Sequence, residues 1–519
     1  MHQAIRRGIK SRFIRPQLSS PVSRNYLPKG IVSQLRHGSS QVESRSQHSK
    51  FGSPVPLPAL AVDNGSIDEH FMLSDLDMVS PNSLISSFLL YKLEPEYNVK
   101  LVTEAVTEGL QVAAEQIPLL RASIRFDGGK PRKKLSQGSL RFRVRHFNRW
   151  EHKSYDELAA ASFRPSELDQ ASLVPVEAYD NAEEKPVLVT QLSFIPGGAI
   201  LALGFNHIAS DGVSRDLALT AICRASKAHM QGLPAPRTSF DFRRSLLATP
   251  RALLQKPRDQ LAEYAKDYSI MDAVAVAGAA AAAKAGRSAN AANKTNIYRI
   301  QGAAVDELKR HCKPMGGVEY IATYDCVVGM LWKSLMSARA QVKPQLRDAD
   351  SRILHAVDLR GRTEAAPSRR YFGNAVKQVG AGPLPMAQLL GPDGLSLAAS
   401  YLRKSILETS VADVGGATAL AQMMGPSETL VFFPRRGIAD QDFMLSSWYF
   451  MDTAEYDFGM GPPAAVRPPD AAIPGFAFLF PDCERRDGSR CYDIYLTLPV
   501  AEQEALSRDE VFRRWFSIV

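Results

Sequence analysis

Read for its alternation of apolar and polar positions, the chain becomes regular at FMLSDLDMV (Phe71 to Val79), where ordered structure is expected to begin. In LVTEAVTEGLQVAAEQI, apolar residues recur near positions 101, 105/106, 109/110, 113 and 117. That is a helical period, and Pro118 stops it. LLRASIRF after it predicts a strand. VLVTQLSFI, a turn at Pro196-Gly197-Gly198, and AILALGFN predict a β-hairpin. GVSRDLALTAICRASKAHMQG predicts a helix closed by Gly232.

Residues 233–294 change character, with prolines and charges first, then a low-complexity alanine stretch from Ala273. The segment reads as a crossover between two halves, or as an alanine-rich surface helix within one domain. Beyond it, NIYRI predicts a strand, AAVDELKRHC and YDCVVGMLWKSLMSAR predict helices, and RILHAVDLRGR predicts a strand. GFAFLFP and RCYDIYLTLP, either side of Asp487-Gly488, predict a second hairpin. Strands alternate with helices on both sides, so the expected class is α/β. The expected division is a tail (1–50), a first half (51–232), a crossover (233–294) and a second half (295–519).

Composition narrows the function. Hydrophobic residues make up 45% of 519 and charged residues 23%, the balance of a folded globular chain. The five cysteines (Cys223, Cys312, Cys326, Cys483, Cys491) are scattered, so neither a disulfide scaffold nor a zinc site is expected, and a reducing intracellular compartment fits. The net charge of +9 suggests nucleic acid, but ten of the 63 Lys and Arg, and one of the 54 Asp and Glu, lie in residues 1–50. The remainder carries 53 of each sign, so a nucleic-acid footprint is not expected. In the tail, Ile5, Ile9 and Phe13 repeat among Arg6, Arg7, Lys10 and Arg12. This fits a mitochondrial transit peptide or a disordered basic tail of a cytoplasmic protein. No run is apolar and long enough to predict a membrane span.

Candidate chemistry centres on NHIASDGVS (Asn206 to Ser214), where His207 precedes Asp211-Gly212 by four residues. About half a His-x-x-x-Asp match is expected by chance in a chain with ten His. HKSYD at His152 is a second match. His152 lies in a polar segment at a helix start, whereas His207 ends an apolar strand and precedes a turn into a helix. Taken locally, His207 is a base or a core histidine, and Asp211 a helix N-cap.

Further stretches decide between these readings. YDFGMG (Tyr456 to Gly461) resembles the Asp-Phe-Gly-Trp-Gly motif of the BAHD acyltransferases, and HIASDG resembles that family's His-x-x-x-Asp-Gly. LSDLD, VDLRGR, YFGNAV and LSSWYF are similar to family segments at their expected places. The resemblance covers roughly residues 70–515. Met460 stands where the family usually has Trp.

The resemblance implies two similar mixed-sheet halves of the chloramphenicol acetyltransferase-like type, a channel between them, and a monomer. Acyl-CoA, acetyl-CoA in the first instance, would serve as co-substrate and a small hydroxylated metabolite as acceptor. His207 would be the general base. Asp211 and Gly212 would shape its loop, with Asp211 held by an arginine. Ser446 or Trp448 would donate to the oxyanion. Asp457, Gly459 and Gly461 would form a structural loop, with Asp457 clamped to Arg360 first and Arg362 second.

Coenzyme A contacts are not assigned from sequence; Arg435 and Arg436 read as a basic turn that could meet its phosphates. Cys326 and His355 read as core residues. Two alternatives stay open: a condensation-domain-like amide- or ester-forming enzyme, whose motif begins with two histidines where this chain has Asn206, and an inactive ligand-binding family member.

Overall fold

The strand Leu84–Lys92 (β1) sits inside the first sheet, a position its sequence half conceals: Ser86 and Ser87 interrupt the apolar run, yet both are buried. A computed structural model describes residues 70–519, apart from 128–129, 176–178, 180–183, 262–263, 265–266, 273, 277–292, 363–365, 426, 433–439, 471–472 and 481–490. The basic tail, most of the alanine stretch, Arg435, Arg436, Cys483 and the Asp487-Gly488 turn lie outside the described residues.

After β1 come the helix Val99–Gln116 (α1), the strands Arg141–His146 (β2), Leu188–Ile195 (β3) and Gly198–Asn206 (β4), and the helix Gly212–Met230 (α2). Every residue of β3 and β4 is buried, as in strands covered on both faces. One face meets α1 and α2 through a core that includes Val106, Leu110, Leu201 and Leu219. The other meets Leu158, Phe163 and Leu173. The helices cross closely at Gly109, where a Cβ would stand 2.0 Å from Ser226 Oγ and 2.6 Å from the Ile222 carbonyl oxygen.

The strand predicted for LLRASIRF is only partly realised. Pro118 opens a 3₁₀ turn over Pro118–Arg121, as its fixed φ favours, and a strand of three residues follows at Ala122–Ile124.

The second sheet is built from Asn293–Gln301 (β5), Asp350–Asp358 (β6), Val376–Pro385 (β7), Phe443–Ser447 (β8), Phe476–Leu479 (β10), Cys491–Pro499 (β11) and Ser517–Ile518 (β12), in the order β7-β6-β8-β10-β11-β5-β12. The β6-β8-β10 pairings are parallel and the rest antiparallel. Helices Thr323–Val342 (α3) and Gly394–Glu408 (α4) share a core with one face, including Trp332, Leu402, Phe443, Leu445 and Ala477. Side chains alternate along a strand, so Met444 and Ser446 of β8 face the other way and stay half-buried.

One strand crosses over. Ala465–Arg467 (β9) pairs antiparallel with β1, extending the first sheet to β9-β1-β4-β3-β2. The sequence division at residue 294 therefore does not separate the two sheets. The physical reason is that β1 has an open edge, and a strand from the second half covers it.

Candidate active site

His207 follows β4 directly, and backbone contacts hold it. Its N–H donates to the Ser83 carbonyl at 2.8 Å. Asn374 Nδ2 donates to the carbonyls of His207 (2.8 Å) and Ile208 (2.9 Å). Asn374 is itself fixed by Asp77 Oδ1, which accepts from its backbone N–H at 2.8 Å and from Nδ2 at 2.9 Å. The LSDLD and YFGNAV segments thus brace the histidine loop. The sequence marks neither Asp77 nor Asn374, because nothing local identifies a polar side chain as a brace.

Asp211 caps α2, accepting from Ser214 N–H at 2.8 Å. Its two oxygens also take a bidentate pair from Arg360, at 2.9 and 3.0 Å, with both side chains essentially buried. Arg360 further donates to the carbonyls of Tyr371 (3.0 Å) and Gly373 (2.8 Å) and to Asp358. The expected pairing of Arg360 with Asp457 is therefore corrected. Arg362, the second choice, donates only to the carbonyls of Asp358, Ile406 and Thr409. Asp457 instead pairs with Lys227 at 2.8 Å, and its Oδ1 accepts from the Gly459 and Gly461 N–H groups. Burial alone would raise the Asp457 carboxyl, but Lys227 and the two glycine N–H groups hold it below its usual value. The reason for the exchange is distance. Asp211 and Lys227 stand near opposite ends of α2, about 24 Å apart at 1.5 Å per residue, and one arginine cannot serve both.

Helix α2 meets the quoted C-terminal segments in turn. Ser214 Oγ bonds the backbone of Gly373. Arg215 lies against Trp448, with its guanidinium carbon 4.5 Å from the ring centroid. Asp216 accepts from the Tyr456 hydroxyl. Near the far end, Met230 packs where a Cβ on Gly459 would come within 2.6 Å of its Cγ, and Gly459 has φ +105°, a backbone state open to glycine.

The His207 ring is half-buried, and its Nδ1 is enclosed without a partner among the described residues. Burial holds the imidazole below its ordinary pKa of 6.5, outweighing the opposing pull of its own backbone and of the Asp211 carboxylate, which favours the neutral ring. An ideal Cβ at Gly212 would lie 3.9 Å from Trp448 Nε1 and 3.7 Å from Phe450 Cζ. Trp448 therefore borders the histidine loop, and no described residue accepts from its indole N–H. Ser446 shares a strand face with Trp448 and is half-buried, and its hydroxyl is likewise without a described partner.

The other candidates fall elsewhere. His152 bonds the Lys153 carbonyl through Nδ1 and precedes the short helix Tyr155–Ala160. His355 is enclosed between Tyr324 and Ser405, and burial pushes its pKa down to about 3. Cys326 is fully buried in α3. Met460 is partly buried against the first core. A cavity of about 620 Å³ is lined by residues that include His70, Phe242, Arg243 and Arg370, with none of His207, Ser446 or Trp448 among them. Among the described residues, no cluster of His, Cys, Asp and Glu suits a metal ion, and no helix is long and apolar enough to cross a membrane.

The chain is similar to known proteins over most of its length. The Transferase family profile matches residues 156–512, and the profile for the trichothecene 3-O-acetyltransferase-like N-terminal domain matches residues 85–226. O-acetyltransferase ptmV of Penicillium ochrochloron is 23% identical, over 86% of this chain and 96% of its own length. Tryptamine benzoyltransferase 1 of Oryza sativa subsp. japonica is 29% identical, over 73% and 80%. The crystal structure of F. graminearum TRI101 complexed with coenzyme A and T-2 mycotoxin superposes with a TM-score of 0.69 at 18% identity, covering 86% of this chain and 99% of that one. Vinorine synthase superposes with a TM-score of 0.56 at 15% identity, over 87% and 93%. These two share the mixed α/β fold.

Proposed function

The chain belongs to the BAHD acyltransferases of the Transferase family, and on that premise we propose that it moves an acyl group from coenzyme A to a hydroxyl of a small secondary metabolite, with His207 as general base. Acetyl is the favoured acyl group, in keeping with the O-acetyltransferases among the relatives. The observation that carries the reading is a histidine whose loop is braced by Asn374 and Asp77, whose burial disfavours the charged ring, and which is bordered by an indole N–H that has no described partner.

The chemistry follows from those groups. An alcohol attacks a thioester poorly until its proton is removed, and a neutral imidazole can accept that proton. His207 takes the hydroxyl proton as the acceptor oxygen forms its bond to the thioester carbonyl carbon. The carbonyl electrons move onto oxygen, and the indole N–H of Trp448 or the Ser446 hydroxyl donates to that oxyanion. One such donor is typically worth about 3 kcal/mol in the transition state. The tetrahedral adduct then expels the thiolate, which takes the proton back from His207. Proton and charge balance without a covalent acyl-enzyme. Asp211 is tied up by Arg360, the Ser214 N–H and the Ala375 N–H, and so serves the loop rather than the substrate.

The test is product analysis. Purified protein is given acetyl-CoA or benzoyl-CoA with an alcohol panel that includes deoxynivalenol, and with tryptamine as an amine. The reading expects an O-acylated product by mass spectrometry and one thiol released per product. No consumption of either thioester with any acceptor would overturn it.

A further inference from the structure

Arg215 is a fully buried arginine one turn into α2, eight residues after His207. No described carboxylate lies within ion-pairing distance of it. Its Nη2 donates to the Ser87 hydroxyl on β1, and its Nη1 reaches Met451 Sδ at 3.3 Å. Its Nε is enclosed with no partner among the described residues. The flat guanidinium lies over the Trp448 ring, 4.5 Å from its centroid. Burying a charge without an ion pair is costly; the direct contacts that offset it are one hydroxyl, one thioether and a π face, with the Asp216 carboxylate and the Tyr456 hydroxyl acting from nearby.

Two of these contacts, those to Trp448 and Met451, fall on one short turn. Trp448 and Met451 are its ends, closed by the Met451 N–H donating to the Trp448 carbonyl at 3.1 Å. Arg215 touches the ring of the first and the sulfur of the second, and through Ser87 it ties both to the first sheet. Phe478 and Phe480 contact the same indole, each with ring centroids 5.3 Å away, the first edge-on and the second tilted. With the ring fixed on several sides, the indole N–H is aimed beside Gly212. A cation on a π face also draws electron density from the ring, which makes that N–H a better donor.

We propose that Arg215 is a positioning residue for acyl transfer, stapling the Trp448–Met451 turn so that the indole N–H meets the oxyanion. The inference rests on the proposed reading of Trp448 as that donor. A donor placed before the reaction stabilises the transition state more than the bound substrate. Loss of the staple therefore lowers kcat and leaves KM for the thioester nearly untouched.

The experiment is a double-mutant cycle on the full chain, read as thiol release from acetyl-CoA with deoxynivalenol, tryptamine or water as acceptor probe. Arg215→Met, an apolar replacement of similar length, is expected to keep or raise Tm, since a buried charge is often replaceable by packing. It is expected to lose roughly tenfold in kcat with KM for acetyl-CoA changed less than about twofold. Trp448→Phe should lose as much, and the double variant no more than either single one.

If Trp448→Phe falls and Arg215→Met does not, the staple is wrong and the donor reading stands. If the losses multiply, the two act independently and the staple is wrong. If Trp448→Phe keeps full kcat, the donor reading fails and the staple with it. Should Arg215→Met not fold, Arg215→Lys carries the same cycle, because a point charge lacks the planar fork that spans ring and sulfur.

Discussion

His207 is half-buried with an enclosed Nδ1, and its environment disfavours the charged ring. Because its pKa in the folded protein is depressed, the neutral base persists to lower pH than in a free imidazole. The acid limb of kcat/KM should therefore have its midpoint below 6.5, read from initial rates between pH 4.5 and 8. A midpoint above 6.5 would mean that the ring is stabilised as a cation. The same shift adds stability above the unfolded pKa, which is lost as pH falls through the folded one. Arg360 gives a second expectation at this scale. Its fork binds Asp211 bidentately in a buried setting, which lysine cannot reproduce. Arg360→Lys should lose about 3 kcal/mol of stability in denaturant unfolding, with a fall in kcat because the histidine loop loosens.

Among the elements, those with one clear period were legible in the sequence. The hairpin of β3 and β4, the helices α1, α2 and α3, and the pairing of β10 with β11 all appear where the patterning puts them. Three of the strands that escaped notice break the rules that find strands. β1 carries two buried serines, β7 contains Gly380, Gly382 and Pro383, and β9 has only three residues. The motif residues of the site could be located because family resemblance marks them, but their partners could not. Nothing in the spacing tells Asp211 from Asp457 as the mate of Arg360, and nothing around Arg215 announces a buried cation. Helix packing supplies the test at this scale. At Gly109 the α1–α2 crossing leaves no room for a methyl group. Gly109→Ala should therefore destabilise by roughly 1–3 kcal/mol despite the better helix propensity of alanine. A more stable variant in denaturant melts would show that α1 can shift.

At the scale of the whole molecule, one helix and one strand knit the two sheets together. α2 belongs to the first half, yet it holds Arg360, Gly373, Trp448, Tyr456, Asp457 and Gly459 of the second. β9 returns the exchange by closing the edge of β1, and Arg467 at its end donates to the carbonyls of Phe163 and Ser162. The first sheet is incomplete without β9 of the second half, and α2 is anchored in both, so calorimetry should record a single unfolding transition for residues 70–519. Two separated transitions would show that the sheets are independent.

The central claim, that His207 performs the proton transfer, is tested most directly by thiol release from acyl-CoA in the presence of an acceptor, with His207→Ala set beside His152→Ala. Loss of release in the first, with wild-type rates in the second, is the predicted result. Equal loss in both variants, or in neither, would contradict the assignment.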